Sequence, residues 1–133
     1  MDRLRQRLAR EEGFTLIELL VVLVIIAILM AIAVPSYLGF KDRANQRAAS
    51  ADVREAVPSA EAYYADQTPN SYTSIDATAL KSIDSGLASA VKVASINSGA
   101  GYCIDATVGG KTSYFVGPGG TMQEAGTAPS GCP

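Results

Sequence analysis

Hydrophobic residues are concentrated near the start of the chain, in one apolar stretch that has the length of a long helix. From Phe14 to Val34 there are 21 residues, and Glu18 is the only charged one among them. As a helix rising about 1.5 Å per residue, this stretch is roughly 30 Å long, which is the thickness of the hydrocarbon core of a bilayer. The pattern therefore predicts a membrane-spanning helix that contains a single ionisable group.

The helical pattern continues beyond the apolar stretch with a narrower hydrophobic face. Residues 41–66 carry apolar side chains at roughly helical spacing, while their charged side chains are mostly placed to face outward. These apolar positions are Ala44, Ala48, Ala51, Val53, Ala56, Val57, Ala60 and Tyr64. Because proline lacks an N–H and clashes with the preceding turn, Pro35 is expected to kink or locally melt the helix. Pro58 either kinks it, ends it near Val57 or starts a second helix, and the continuing pattern favours a kink.

The next segment has the composition of a loop followed by a short helix. Residues 67–74 contain the Pro, Asn and Ser expected of a loop. Residues 76–83 are expected to form a short helix with Asp76 or Ser74 as its N-cap, and with Leu80 and Ile83 facing the protein body. Just before this loop, Tyr63 and Tyr64 are expected to pack in the core; the alternative is an aromatic track along a surface.

Beyond residue 86 the pattern is typical of strands. Short segments rich in Val, Ile, Thr and aromatic residues are separated by turns that contain glycine. The predicted strands are 90–97, 102–108, 111–117 and 121–124. Gly109 and Gly110, between the second and third strands, form a two-residue hairpin signal. An antiparallel sheet of three or four strands is therefore expected.

Together these elements predict an α+β fold, in which a long N-terminal helix packs against a small antiparallel sheet. The chain of 133 residues has room for one domain beside a membrane helix. A head of about 70 residues is marginal for a self-sufficient core. Cys103 and Cys132 are the only cysteines and the chain has no His, which favours a disulfide over a metal site. A disulfide that closes the loop between Cys103 and Cys132 would contribute about 3–4 kcal/mol to the stability of the head.

One motif resembles a known family. The residues from Gly13 to Glu18 read GFTLIE, and an unbroken apolar helix and Pro35 follow them. This arrangement resembles the N-terminus of type IV pilins and of their pseudopilin relatives. The resemblance implies that a prepilin peptidase cuts between Gly13 and Phe14 and methylates the new amine of Phe14. It also implies assembly into a homo-oligomeric filament by a separate ATPase and membrane platform proteins, and a C-terminal loop closed by the disulfide.

The resemblance divides the chain into a leader (1–13), a long helix (14–66, with 14–34 in the membrane) and an exported head (67–133). The leader contains four arginines, and basic segments beside an apolar helix tend to remain cytoplasmic. A precursor in the cytoplasmic membrane and an extracellular pilus after assembly are therefore expected. A secretory signal peptide fits poorly, because the apolar run is long and the pilin-like cut precedes it. Cleavage would remove four of the 11 basic and three of the 13 acidic residues, leaving a net charge of −3, which argues against a dedicated nucleic-acid surface.

Glu18 is the candidate assembly residue, together with Pro35. An unpaired carboxylate in a membrane segment is costly, so a partner is expected. The cationic amine of Phe14 lies one helical turn away and could pair with Glu18 within one chain. In the arrangement that the resemblance implies, the pair forms between neighbouring subunits and sets their axial register. The alternative is a carboxylate that reaches the lipid headgroups of an ordinary anchor.

The residues of the head do not suggest an enzyme or a cofactor. The chain has no His and no phosphate-binding or nucleophile motif. Asp105 and Glu124 are a candidate calcium pair, although two carboxylates are few for such a site. We therefore expect a structural subunit of a type IV pilus that needs no cofactor. Two alternatives remain: a pseudopilin of a secretion or DNA-uptake machine, and an anchored binding domain that does not polymerise and for which Glu18 is dispensable.

Overall fold

The computed structural model describes Arg3, residues 13–124 and residues 126–133. The arginines and acids of the proposed leader, other than Arg3, lie outside the described residues. The chain divides into two compact units, Met1–Gly39 and Phe40–Pro133. Helix α1 (Leu16–Asp66) contributes residues to both units.

The N-terminal unit consists of the apolar part of α1 and the residues that precede it. An 18-residue window of the helix has a mean hydropathy of 3.2, and none of that window is buried within the chain. By length and composition this segment can cross a membrane. The large apolar side chains between Phe14 and Leu38 are exposed, from 46% at Ile26 and Val34 to 92% at Phe14, which precedes the helix. The described residues therefore leave this hydrophobic surface uncovered.

Helix α1 is assigned as a single helix that includes both Pro35 and Pro58. Each proline removes one backbone donor, so the carbonyls of Ala31 and Arg54 lose their helical partners. The structure shows neither a melted turn at Pro35 nor an end of the helix near Val57. A long helix can lose one hydrogen bond at a proline because the turns on either side retain theirs.

The head contains a four-stranded antiparallel sheet in the order β1-β2-β3-β4. The strands are β1 (Val91–Ile96), β2 (Gly101–Val108), β3 (Lys111–Gly117) and β4 (Met122–Glu124). The predicted α+β fold is thus confirmed. Gly109 and Gly110 connect β2 to β3 with φ angles of +54° and +79°, as the two central positions of a type I′ hairpin turn require.

A short helix, α2 (Ala77–Ile83), precedes the sheet. Asp76 is its N-cap, and its Oδ1 accepts a hydrogen bond of 2.7 Å from the backbone N–H of Ala79. Leu80 is fully buried, as predicted, but Ile83 is 40% exposed, so the expectation that both face the body was wrong for Ile83. Ile83 is the last residue of this seven-residue helix, where the chain already turns away.

The core of the head lies between α1 and one face of the sheet. Val53, Ala56 and Ala60 of the helix share a buried cluster with Tyr102 and Ile104 of β2. Tyr63 and Tyr64 pack against this cluster, which confirms the prediction that they contribute to the core. Two of the alanines assigned to the apolar face, Ala44 and Ala51, are exposed, whereas Ala49 is buried. Alanine buries little area, so its positions specify the orientation of a helix only weakly.

Candidate processing and assembly segment

The bond between Gly13 and Phe14 lies outside the helix. Residues 13–15 have no regular secondary structure, and α1 begins only at Leu16. No atom would approach within 4 Å of a Cβ placed on Gly13, and the side chain of Phe14 is 92% exposed. The peptide group between them is thus unobstructed by the described residues.

Thr15 and Glu18 cap the start of α1 reciprocally. The backbone N–H of Thr15 donates to Oε2 of Glu18 at 2.9 Å, and the N–H of Glu18 donates to Oγ1 of Thr15 at 3.3 Å. This is a capping box, which occupies two backbone donors that a helix start leaves unpaired. The sequence analysis missed it, although the spacing of Thr15 and Glu18 carries the signal.

The position of Glu18 at the start of α1 lowers the free-energy cost of placing its carboxylate in apolar surroundings. The side chain of Glu18 lies in the first turn of α1, where the helix dipole favours negative charge. Its neighbours Ile17 and Leu19 are exposed apolar side chains. One of its oxygens is occupied by Thr15, which leaves lone pairs available for a further donor. The carboxylate is thus held at the end of the apolar segment and can accept a second partner.

A second carboxylate organises the head. Glu61 of α1 accepts hydrogen bonds from two tyrosine hydroxyls, at 2.9 Å from Tyr72 and at 2.7 Å from Tyr102. The rings of Tyr64 and Tyr72, and those of Tyr72 and Tyr102, have centroids 4.7 Å apart. This aromatic cluster continues to Phe115, whose centroid is 6.2 Å from that of Tyr102. The cluster joins the helix, the loop after it and the sheet.

Burial changes the acidity of both tyrosines that bind Glu61. Desolvation, together with the hydrogen bond to Glu61 and its negative charge, raises the pKa of Tyr72 to about 12. The same causes, with desolvation again the largest, raise the pKa of Tyr102 well above its ordinary value. Both phenols therefore remain donors over the physiological pH range. The charged side chains of this part of α1, Glu61 included, were predicted only to face outward. That pattern did not indicate that Glu61 binds two tyrosines, because Tyr72 and Tyr102 are 11 and 41 residues away in sequence.

Cys103 and Cys132 form a disulfide, as predicted. Their Cα atoms are 5.2 Å apart, and the bond closes a loop with a sequence separation of 29 residues. Cys103 is fully buried in β2, on the face of the sheet opposite to α1. The bond fastens the C-terminal segment to that outer face, where a Cβ on Gly131 would contact Ile96 of β1. A tail with few apolar residues is thereby held against the sheet.

The candidate calcium pair was wrong, because the register separates its two members. Glu124 pairs with Ser113 and accepts a hydrogen bond of 2.9 Å from Ser50 of α1, so it lies on the helix side of the sheet. Asp105 pairs with Tyr114 and lies on the outer face. Among residues 13–124 and 126–133 there is no group of three or more acidic, Cys or His side chains placed to hold a metal ion.

Asp105 is nevertheless unusual. It is 3% exposed, and its Oδ1 has no hydrogen-bond partner among the described residues. Desolvation raises the pKa of this carboxyl, and the charge of Lys92, its partner in β1, opposes that effect. No ion pair joins the two side chains within the described part of the chain. The outer face of the sheet therefore contains a buried carboxyl that is only partly compensated.

The chain is similar to known proteins both in its N-terminal motif and over most of its length. Residues 8–34 match the family model of the prokaryotic N-terminal methylation motif. The type IV wide pilus major component PilA4 of Thermus thermophilus is 42% identical over 108 residues, which cover 78% of this chain and 79% of that protein. The type IV major pilin PilA of Myxococcus xanthus is 36% identical over 58 residues, or 44% of this chain and 26% of that protein.

Pseudopilins match over a shorter part of the chain. The type II secretion system core protein G of Aeromonas hydrophila is 46% identical over 44 residues, which cover 33% of this chain and 31% of that protein. No solved structure matches. The similarity that extends over most of the chain is thus with a pilus component.

Proposed function

Because this chain belongs to the type IV pilin family, we propose that it is a structural subunit of a type IV pilus filament. The observation that carries this proposal is the apolar surface of α1 from Leu16 to Leu38, which the described residues leave uncovered. Before assembly that surface would be covered by lipid, and in a filament by the same segments of neighbouring subunits. Apolar contact then supplies the cohesion of the fibre, since it requires no directional partner.

Processing between Gly13 and Phe14 is the first step that we propose. The accessible peptide group before α1 supports cleavage by a prepilin peptidase, and the product would carry a methylated amine on Phe14. Cleavage removes the leader and retains the whole helix. The mature chain would then start two residues before α1, with a cationic amine close to the carboxylate of Glu18.

Glu18 would supply the register of the filament. Its capping bond to Thr15 leaves acceptor capacity, which the amine of Phe14 from a neighbouring subunit can occupy. Such a pair removes two uncompensated charges from apolar surroundings, and it forms only at one axial offset. The proline at position 35 would be the point at which α1 adapts to its neighbours on assembly, because one helical hydrogen bond is already missing there.

We further propose that the precursor lies in the cytoplasmic membrane with its leader inside and its head exported. The basic residues before the apolar segment support this orientation. The disulfide fits an oxidising compartment outside the cytoplasm. Assembly would require an ATPase and membrane platform proteins as separate components. The role of the chain itself is that of a structural protein, not of an enzyme.

Intact-mass spectrometry of protein sheared from the cell surface tests this proposal. The expected mass is that of Phe14 to Pro133 plus one methyl group and minus two hydrogens for the disulfide. Full-length protein found only in membranes would overturn the proposal and favour the anchored domain that does not polymerise. Recovery of sheared protein from a Glu18→Gln variant, with Thr15→Ala as its control, separates the charge of Glu18 from its capping bond.

The second candidate is a pseudopilin, which the identity to core protein G over 44 residues supports. A pseudopilin would be processed at the same bond but would form no long surface fibre in its own cells. Electron microscopy of cells that produce the chain at its natural level distinguishes the two functions. Long fibres that contain the protein are expected for a pilin, whereas loss of protein export on deletion without such fibres would identify a pseudopilin.

A further inference from the structure

Basic side chains are concentrated where the head begins, on the residues of α1 that follow the apolar stretch. The charged residues in positions 40–51 are Lys41, Asp42, Arg43 and Arg47. Lys41, Arg43 and Arg47 are exposed. No ion pair within the described residues involves these three side chains. Their charges are therefore available to a partner from outside the chain.

The hairpin between β2 and β3 adds one more basic residue at the same place. A Cβ on Gly109 would overlap the side-chain amide of Asn45, so the hairpin packs directly against this part of α1. Lys111 is the only charged residue of positions 107–112. Its Nζ lies 3.4 Å from Oδ2 of Asp42, so the one acidic side chain here is already neutralised. We call Lys111 and the three basic residues of α1 the basic end of the head.

The charge of the head is unevenly distributed. Phe40–Pro133 contains seven basic and nine acidic residues, which is a net charge of −2. The basic end, with Asp42 included, has a net charge of +3, so the rest of this unit has −5. Along α1 the next acidic residue is Asp52, ten residues or about 15 Å of helix further on. An anionic partner is therefore attracted to one end of the head and repelled by the remainder.

The basic end follows the apolar stretch closely along the chain. Lys41 comes seven residues, or about two helical turns, after Val34. Side chains of an α-helix lean toward its N-terminus, so the arms of Lys41 and Arg43 extend back along α1. Phe40, the first residue of the head unit, is 65% exposed. An exposed aromatic ring beside basic side chains suits the boundary between acyl chains and headgroups.

We propose that the basic end binds the phosphate groups of anionic phospholipids, in the leaflet that faces the exported head. This inference rests on the proposed function, which places the apolar stretch in the cytoplasmic membrane until assembly. Arginine matches two phosphate oxygens with parallel N–H donors, and each Lys or Arg near an anionic leaflet adds to the attraction. The contact would hold the head against the bilayer until the subunit enters a filament.

Processing makes this compensation more important. Basic residues beside a span tend to remain cytoplasmic, so those of the leader favour the proposed orientation and those of the basic end oppose it. Cleavage after Gly13 would remove the four arginines of the leader. In the mature chain, the basic side chains that flank the membrane segment would then all lie on the exported side. Anionic headgroups in that leaflet offset the opposing charge.

The lipid preference of the mature chain tests the proposal. The chain is reconstituted in phosphatidylcholine bilayers that contain either spin-labelled phosphatidylglycerol or spin-labelled phosphatidylcholine, and electron spin resonance measures the fraction of each label that the protein immobilises. We expect phosphatidylglycerol to associate about threefold more strongly, and this preference to fall with added salt. Lys41→Gln with Arg43→Gln is expected to lower the ratio to below about 1.5, because two of the contacts are lost.

A matched control removes the same charge elsewhere. Arg54→Gln with Lys81→Gln replaces two exposed basic residues outside the basic end and is expected to keep the threefold ratio to within about 20%. The amine of Phe14 is present in every variant, so it does not contribute to the difference between them.

A local readout comes from fluorescence. The chain has no Trp, so Phe40→Trp supplies a single fluorophore at the basic end. Brominated phosphatidylglycerol is expected to quench it more than brominated phosphatidylcholine does, and Lys41→Gln with Arg43→Gln is expected to remove that difference. Ile83→Trp, at a 40% exposed position of α2, is the control and is expected to be quenched equally by both lipids.

Equal association of the two lipids with the wild-type chain, or an equal loss of preference in both double variants, would overturn the inference. Salt-sensitive binding of duplex DNA by the basic end without a lipid preference would also overturn it, and would assign this surface to nucleic acid. These results leave the proposed function standing, because the mass of sheared filament protein tests that function separately. A lipid preference without wild-type filaments would contradict the proposed function and leave the lipid contact standing.

Discussion

The hydroxyl of Tyr102 donates a hydrogen bond of 2.7 Å to Oε1 of Glu61, across 41 residues of sequence. The other oxygen of the same carboxylate accepts from Tyr72 at 2.9 Å. Tyr102 is fully buried and Tyr72 is 2% exposed, so their hydroxyls have little access to water. A single side chain of α1 thereby satisfies polar groups from both the sheet and the loop that precedes it.

Replacement of Glu61 should destabilise the head more than its exposed position suggests. Glu61→Ala leaves two buried hydroxyls without their acceptor, and we expect the free energy of unfolding to fall by about 2–3 kcal/mol. Denaturant unfolding of the mature chain in detergent measures this, followed by the near-ultraviolet circular dichroism of tyrosine, since the chain has no Trp. Asp66→Ala, at the exposed end of α1, is the matched control, and an equal loss in both variants would contradict the prediction.

Two of the six tyrosines should resist ionisation in the folded chain. The pKa of Tyr72 is raised to about 12 and that of Tyr102 is raised as well, chiefly by burial. A raised folded pKa contributes stability that is complete below the unfolded value of about 10 and is lost as the pH rises through the folded value. At pH 11 the absorbance at 295 nm should therefore report at least two protonated phenols, and Glu61→Gln should make them easier to ionise. Ionisation of all six phenols in a folded chain at that pH would be inconsistent with this account.

Asp105 should make the head more stable in mild acid than at neutral pH. Burial raises the pKa of its carboxyl, so the folded state holds this proton more tightly than the unfolded state does. The stabilisation is complete below the unfolded pKa of about 3.9 and disappears as the pH rises through the raised folded pKa. Comparing the free energy of unfolding of wild type and Asp105→Asn between pH 4 and pH 7 isolates this contribution. We expect the difference between them to change with pH, whereas a constant difference would show that Asp105 does not titrate abnormally.

Loss of the disulfide should weaken the attachment of the C-terminal segment and the stability of the head. Replacing Cys103 and Cys132 together by Ala is expected to lower the free energy of unfolding by about 3–4 kcal/mol, because the unfolded chain gains loop entropy. Denaturant unfolding of wild type with and without reductant provides the comparison. The double variant should match the reduced wild type and should no longer respond to reductant. An unchanged midpoint after reduction would mean that the bond adds no stability.

Local sequence patterns were sufficient to predict most of the helices and strands. The apolar run, the strand-forming segments and the glycine pair at the hairpin each act over a few residues, and the structure places elements close to the predicted positions. Asp76 was one of the two predicted caps, the other being Ser74, since a cap is a contact between residues three apart. The Thr15–Glu18 capping box is equally local, but it was not predicted, although the spacing of the two residues carries the signal.

Contacts between residues that are far apart in sequence could not be predicted from local patterns. Asp105 and Glu124 were treated as possible neighbours, but the pairing of β3 with β4 places them on opposite faces, because a shift of one residue changes the face. The exposed position of Ala51 and the buried position of Ala49 depend on how α1 rotates against the sheet, which small side chains specify weakly.

The sequence by itself determined that this chain has a long apolar helix behind a GFTLIE motif, a strand-rich head and a pair of cysteines able to form a disulfide. These features depend on composition and on spacing along the chain. Only the tertiary structure decided that Glu61 binds Tyr72 and Tyr102 and that Asp105 is buried without a full set of partners. The reason is that such contacts depend on strand register and helix rotation, which arise when the whole head packs together.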